Sequence, residues 1–192
     1  MKKAIIACDV FHDALQYLGA DRPDAPHRII YLPSHLHLHP HRLHRQMRSC
    51  LASASSGCPF AGCLYGKCFP EIDSVLSAHK INRVACDTCY ELLLGRDVYR
   101  ELMIKRPGSF FIERALIEDF DNLCRIPLEL DDPDIRKWYF QHYQQIVYIH
   151  QPRDPDLIAK VQSIAQLLAL DYTVMEADYH DLLIYLKRRG AV

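Results

Sequence analysis

The chain is organised around the segment CPFAGCLYGKC (58–68), which a helical spacer separates from RVACDTCYELLLG (83–95). Each segment contains a short apolar run that leads into cysteines. The two segments together hold five of the eight cysteines in the chain: Cys58, Cys63, Cys68, Cys86 and Cys89. This arrangement predicts two strand ends that place sulfur atoms at one edge of a sheet.

Short apolar runs and helical segments alternate along the rest of the chain. Lys3–Cys8 and Gln145–His150 are continuous apolar runs, which are typical of strands buried on both faces of a parallel sheet. Further strands are predicted at residues 28–32, 61–65, 82–86, 109–113 and 172–176. The alternation predicts a Rossmann-like α/β fold, with a mostly parallel sheet and helices on both faces. The length of 192 residues predicts a single domain over residues 1–192.

Charge and hydropathy exclude several classes of partner. The formal net charge is −1, so the chain as a whole has no strong field for nucleic acid or a membrane surface. No apolar run approaches the ~20 residues that a membrane-spanning helix needs. Asp9, His12 and Asp13 interrupt the apolar N-terminus, which therefore indicates a first core strand and not a signal peptide. We expect a cytoplasmic protein with neither nucleic acid nor membrane as a partner.

The cysteines indicate the chemistry of the site. In a reducing compartment, so many cysteines are buried thiols, catalytic thiols or metal ligands. In an open parallel sheet, ligands bind beyond the carboxyl ends of the strands. The groups that follow the first four predicted strands are Cys8, the histidines of SHLHLHP (34–40), YGKC (65–68) and CDTC (86–89). We therefore expect these groups to share one edge of the sheet.

The histidines after the second strand offer an imidazole ligand. His35, His37 and His39 alternate, which in a strand would place all three on one face. His37 is the predicted ligand. Thiolates and imidazoles suit zinc, copper(I) or an iron–sulfur cluster, and not magnesium or calcium. Zinc takes four ligands in a tetrahedron, whereas a cluster is held mainly by cysteines.

Other interpretations of the cysteines stay open. Cys50 and Cys124 are expected to pack as buried thiols, and Cys58 to lie in an exposed loop. Cys86 and Cys89 have the spacing of a redox pair, and Cys63 or Cys86 is an alternative to one of the favoured ligands. The acidic segment 115–133 indicates an exposed excursion.

Five collinear motifs resemble a known family. They are IIAC (5–8), YLPSHLHLHP (31–40), YGKC (65–68), CYELLLG (89–95) and PGSFFI (107–112), and they resemble the domain of unknown function 1638 family. The resemblance implies Cys8, Cys68 and Cys89 as the sulfur ligands, with His37 as a further ligand. It also implies that Tyr65 and Gly66 belong to the cofactor site. Asp9, Phe69 and Arg96 stand where the family pattern has glycine, glycine and serine.

The resemblance also implies a setting in anaerobic organisms, near corrinoid-dependent methyltransferase systems. That setting favours an iron–sulfur cluster over zinc and suggests a corrinoid or methyltransferase partner protein. The resulting hypothesis is a metal-binding α/β protein linked to methyl-group metabolism, with no reaction assigned. The alternative is a non-catalytic accessory protein that binds a cofactor or passes it to a partner enzyme.

Overall fold

The protein divides into two compact units, which are described here in turn from a computed structural model. The structure describes residues 2–54 and 59–192, so Cys58 and its predicted loop lie outside the described residues. The first unit comprises Met1–Gly95 and Asp178–Val192, and the second comprises Arg96–Ala177. The expectation that all 192 residues form one domain stays a prediction.

The first unit is built on a three-stranded parallel sheet. Its strands are β1 (Lys3–Cys8), β2 (His27–Leu32) and β3 (Phe60–Leu64), in the order β2-β1-β3. The central strand β1 is fully buried from Ala4 to Ala7, as its continuous apolar run predicted. Cys8 pairs in register with Leu32, so β1 and β2 end side by side.

Helices accompany this sheet in the first unit. They are α1 (His12–Tyr17), α2 (Pro40–Ala54), α3 (Ile72–Ala78), α4 (Tyr90–Leu94) and α9 (His180–Arg188). In α2, Leu43, Met47 and Leu51 are fully buried, at the spacing of one helix face. Gly95 ends α4 with a φ of 81°, a left-handed conformation that glycine adopts without the usual steric cost.

One local prediction for the first unit is wrong, and the strand in which the three histidines would share a face does not form. Ser34–Leu38 forms a 3-10 helix, with hydrogen bonds from Leu36 N to Pro33 O and from His39 N to Leu36 O. The three histidines of that segment are therefore not arranged along one face of a strand. Residues 82–86 form no fourth strand and contribute only an isolated parallel bridge, between Cys63 and Arg83.

The second unit contains another three-stranded parallel sheet. Its strands are β4 (Ser109–Ile112), β5 (Gln145–His150) and β6 (Asp171–Glu176), in the order β4-β5-β6. The accompanying helices are α5 (Arg96–Lys105), α6 (Arg114–Glu118), α7 (Pro133–Phe140) and α8 (Ile158–Leu168). Both units therefore confirm the α/β fold with parallel strands, although the strands form two small sheets.

The acidic segment 115–133 was expected to be an exposed excursion, and this prediction is wrong. It contains most of α6 and a π-helical turn at Asp121–Arg125. Four of its apolar side chains belong to the core of the second unit, where they pack with strand residues such as Ile146: Ile117, Phe120, Cys124 and Leu130. The acidic residues obscured a helical apolar pattern that anchors the segment to the core.

No helix in residues 2–54 and 59–192 has the length and apolar character needed to cross a membrane.

Candidate metal centre

The site lies at the carboxyl edge of the first sheet. The three strands are parallel, so Cys8, Leu32 and Leu64 end them at the same edge. Tyr65 follows β3 directly, is almost fully buried, and donates a hydrogen bond from its hydroxyl to the Leu32 carbonyl oxygen at 3.2 Å. The end of β3 is thereby joined to the end of β2, on the far side of the central strand β1.

Three cysteine thiols meet at this edge. The Cys89 thiol hydrogen-bonds with both Cys68 and Cys8, so residues from three separate segments contact one another. Cys8 is only 5% exposed, whereas Cys68 and Cys89 are half-buried on loops. These are the three cysteines selected from the sequence; their role as metal ligands stays a prediction.

The hydrogen bonds distinguish the thiols electrostatically. Hydrogen bonds with Cys68 and then Cys8, together with burial, raise the pKa of Cys89 well above the usual value of a thiol. The hydrogen bond from Cys89, helped by the positive charge of Arg83, lowers the pKa of Cys68. Cys89 is therefore the proton donor, and Cys68 is the sulfur that more readily becomes a thiolate.

The phenol of Tyr65 stays neutral beside these sulfurs. Burial, followed by the negative charge of Cys8 and Cys89 in their thiolate forms, raises its pKa. Tyr65 thus supplies a fixed hydroxyl and an apolar ring next to the cysteines.

Gly66 permits the close approach of the two cysteine loops. A Cβ atom at this position would lie 2.7 Å from the Asp87 carbonyl oxygen and 2.9 Å from Cα of Thr88. The neighbouring Lys67 N–H donates to the same Asp87 carbonyl at 2.8 Å, and the Lys67 ammonium lies 2.6 Å from the Asp87 carboxylate. The loop that carries Cys68 is therefore bonded directly to the loop that carries Cys89.

Arg83 also holds these loops together, and sequence reasoning missed it. Its side chain is 7% exposed, and Nη1 donates to the carbonyl oxygens of Tyr65 at 2.9 Å, Val84 at 3.0 Å and Cys86 at 2.7 Å. Its Nε and Nη2 bond the two carboxylate oxygens of Asp73, at 2.8 and 3.2 Å. The available signal was a cation inside the apolar run NRVAC (82–86), because a buried arginine needs acceptors.

Glu91 is a second residue that sequence reasoning missed. Its Oε1 accepts hydrogen bonds from the backbone N–H groups of Asp87 at 2.7 Å and Thr88 at 3.1 Å. The order Thr88-x-x-Glu91 has the spacing of a capping box, in which the glutamate bonds back to the N–H of the first capping residue. The pattern was therefore readable, and it fixes the backbone immediately before Cys89.

Replacing Glu91 with alanine should lower the free energy of unfolding by about 1–2 kcal/mol, because two backbone donors lose their acceptor. Chemical unfolding in urea measures the change. Glu101→Ala is the matched control, since Glu101 pairs only with Lys105 on an exposed helix surface and should cost about 0.5 kcal/mol or less. Equal losses of unfolding free energy in the two variants would show that the Glu91 hydrogen bonds stabilise the protein no more than an exposed ion pair does.

His37 lies on the 3-10 helix after β2. Its Nδ1 is 2.6 Å from the Ser34 carbonyl oxygen, which fixes the ring and leaves Nε2 as the ligand atom. Although the side chain remains exposed, protein atoms around the ring disfavour the charged form and lower its pKa. The histidine is therefore neutral at neutral pH, as a ligand must be. The structure provides no bond from His37 to the three thiols, so its role as a fourth ligand stays a prediction.

The other cysteines have separate surroundings. Cys63 is fully buried in β3, and burial raises its pKa. Cys86 is buried with its sulfur 3.7 Å from the Tyr65 carbonyl oxygen. Cys124 lies in the core of the second unit, where burial raises its pKa to about 11. These environments favour packing roles for the three residues.

The contacting thiols do not have the arrangement of a formed metal site. Across the described ranges, no group of three or more His, Cys, Asp or Glu side chains is placed to hold a metal ion. The thiols instead hydrogen-bond with one another, so a bound metal would replace their protons. The donor chemistry fits a soft metal, because all three contacting groups are thiols.

Comparison with known proteins gives one match. The profile of a family described as "protein of unknown function (DUF1638)" matches residues 31–184. No curated protein and no solved structure matches the chain. The matched region includes His37, Tyr65, Gly66, Cys68 and Cys89, and it extends through the second unit. The chain therefore belongs to the DUF1638 family of proteins of unknown function.

Proposed function

We propose that Cys8, Cys68 and Cys89 hold a soft metal centre, an iron–sulfur cluster in preference to zinc. The observation that carries the proposal is the hydrogen bonding of Cys89 with both Cys68 and Cys8. Three thiols from separate segments rarely meet merely to pack, since a buried cysteine packs as a small apolar side chain on its own.

The surroundings of the thiols support this role. Arg83 places a positive charge near Cys68, which offsets part of the negative charge that thiolate ligands bring. Glu91, Gly66 and Lys67 fix the two loops that carry Cys68 and Cys89, so little loop movement is needed for metal binding. Three cysteine ligands leave one position for His37 or for a substrate.

The remaining position leaves room for a substrate, and the setting that the family resemblance implies suggests the class of reaction. A cluster would supply electron transfer or a Lewis-acidic iron, and zinc would supply an activated thiolate for methyl transfer. We favour methyl-group chemistry with a corrinoid or methyltransferase partner protein. The alternative function is that of an accessory protein which passes the centre to a partner. The half-buried positions of Cys68 and Cys89 favour this alternative, because a partner reaches such ligands more easily than fully buried ones.

Replacing Cys68 or Cys89 with serine is expected to reduce the bound metal at least about tenfold, since each change removes one of three sulfur ligands. Metal content is measured on protein purified without oxygen, with Cys50→Ser as the control. Cys50 is also half-buried in the first unit, and its replacement should leave the metal content unchanged. Undiminished metal in the Cys68→Ser/Cys89→Ser double variant would contradict the proposal.

His37→Ala separates the fourth ligand from the other three. If His37 coordinates the metal, this variant loses affinity while retaining the metal at high concentration. An unchanged affinity would assign the fourth position to a substrate or a partner.

A further inference from the structure

We infer that Cys68 and Cys89 form a reversible disulfide by exchange with a low-molecular-weight disulfide, which makes Cys68 a thiol-modification site. The inference deepens the proposed function, since it names a regulation of the same thiols. It concerns the metal-free protein, and its chemistry needs no metal.

The contact between the two sulfurs is the first support. The Cys68 and Cys89 thiols hydrogen-bond with each other, so the two side chains are already in contact. A disulfide between residues on separate segments forms without backbone movement only when the segments are already close.

The loops that carry these cysteines are held together by contacts that do not involve sulfur. The Lys67 N–H bonds the Asp87 carbonyl at 2.8 Å, and the Lys67 and Asp87 side chains form an ion pair at 2.6 Å. Arg83 Nη1 bonds the carbonyl oxygens of both Tyr65 and Cys86. Oxidation of the thiols leaves all of these contacts intact, so the loops stay close in both redox states.

Exposure excludes Cys8 as the sulfur that first reacts with a disulfide from solution, and the contacts of Cys89 distinguish the other two. Cys68 and Cys89 are half-buried, whereas Cys8 is 5% exposed at the end of the central strand. Cys89 contacts both other thiols and is therefore placed between the accessible and the inaccessible one. We therefore assign Cys68 as the first sulfur to attack the added disulfide and Cys89, which also contacts the inaccessible Cys8, as the second.

The exchange proceeds in two balanced steps. The Cys68 sulfur attacks one sulfur of glutathione disulfide, forms a mixed disulfide and releases one glutathione, which takes up the Cys68 proton. The Cys89 sulfur then attacks the Cys68 sulfur, forms the intramolecular disulfide and releases the second glutathione with the Cys89 proton. The protein loses two electrons and glutathione disulfide gains them.

The disulfide would remove two of the three sulfur ligands from the proposed metal centre. Metal loading would then require prior reduction by a dithiol. A metal already bound would in turn protect both thiols, because they are no longer free to exchange.

The test incubates metal-free protein with glutathione disulfide and maps the products by mass spectrometry. The wild type should lose two free thiols, with a single linkage between Cys68 and Cys89 that dithiothreitol reverses. Cys89→Ser should stop at the first step and accumulate one glutathione on Cys68. Cys8→Ser should form the same disulfide as the wild type while binding less metal.

Three outcomes would overturn the inference: a Cys8–Cys89 linkage, glutathione on other cysteines only, or no reaction in folded wild-type protein. Circular dichroism checks that each variant is folded, and the wild-type map stands without any variant. If the disulfide forms but the reduced protein binds no metal, the metal proposal alone is contradicted. If the protein binds metal but forms no disulfide with glutathione disulfide, this inference alone is contradicted.

Discussion

Replacing Arg83 with alanine is expected to lower the free energy of unfolding by about 3 kcal/mol, because three buried carbonyl oxygens lose a charged donor. The guanidinium Nη1 bonds Tyr65 O, Val84 O and Cys86 O, and the side chain is 7% exposed. The same change should separate the Cys68 and Cys89 loops and lower the metal affinity. Urea unfolding and metal titration measure the two effects.

Asp73→Asn is the matched control for Arg83. The Asp73 side chain is 60% exposed and accepts hydrogen bonds from Arg83 Nε and Nη2, while the three carbonyl bonds of Nη1 remain in this variant. An exposed ion pair contributes little, so this variant should cost about 1 kcal/mol or less. If the Arg83 and Asp73 variants lose the same free energy of unfolding, the ion pair accounts for the contribution of Arg83, and the carbonyl bonds do not.

Gly66→Ala should produce the second large effect, a loss of about 2–3 kcal/mol in unfolding free energy together with impaired metal binding. The added Cβ would lie 2.7 Å from the Asp87 carbonyl oxygen and 3.2 Å from the Cys89 nitrogen. These are backbone atoms, which cannot turn aside as the end of a flexible side chain does. The two loops must therefore move apart, and Cys68 must move away from Cys89.

Gly190→Ala is the control that separates strain from loop displacement. Its Cβ would meet no atom within 4 Å, but its φ of +64° is unfavourable for alanine and should cost about 1 kcal/mol. This variant should lose stability while the Cys68–Cys89 disulfide still forms on oxidation. Normal disulfide formation in Gly66→Ala would contradict the account of the loop contact.

The strands of the fold were the most predictable elements. Lys3–Cys8 and Gln145–His150 were predicted with their observed bounds, because a short, uninterrupted apolar run has few alternatives in a parallel sheet. Residues 82–86 were also predicted as a strand, but Arg83 Nη1 bonds two carbonyl oxygens of the segment itself and that of Tyr65, and only one bridge to Cys63 forms. Tertiary bonding of one side chain thus overrides the strand pattern.

The histidine segment departs from the strand pattern for a different reason, which is the short length of that pattern. An alternation over only five residues fits a strand, but it is too short to exclude a 3-10 turn. Pro33 and Pro40 flank the segment, and hydrogen bonds close the turn from Leu36 to Pro33 and from His39 to Leu36. The sequence could not determine where the His37 ring would point, because that depends on this local turn.

The convergence of Cys8 and Cys68 was predictable from topology, because parallel strands end at one edge and the residues that follow them come together there. Cys89 reaches the same edge although its predicted strand at residues 82–86 forms only one bridge, because the Gly66 and Arg83 contacts bring its loop to the site. The supporting residues Arg83 and Glu91 were missed because their importance lies in side-chain hydrogen bonds with backbone atoms, which the strand and cysteine patterns do not indicate. Two signals were available in the sequence: the cation Arg83 inside an apolar run and the capping-box spacing of Thr88 and Glu91.

The central claim is that the thiols of Cys8, Cys68 and Cys89 hold a metal. It is tested most directly by measuring iron, zinc and acid-labile sulfide in wild-type protein purified without oxygen or chelators. The account predicts iron with matching sulfide and a brown colour or, for the alternative metal, stoichiometric zinc without colour. Protein that contains none of these metals, although its thiols are fully reduced, would contradict the claim.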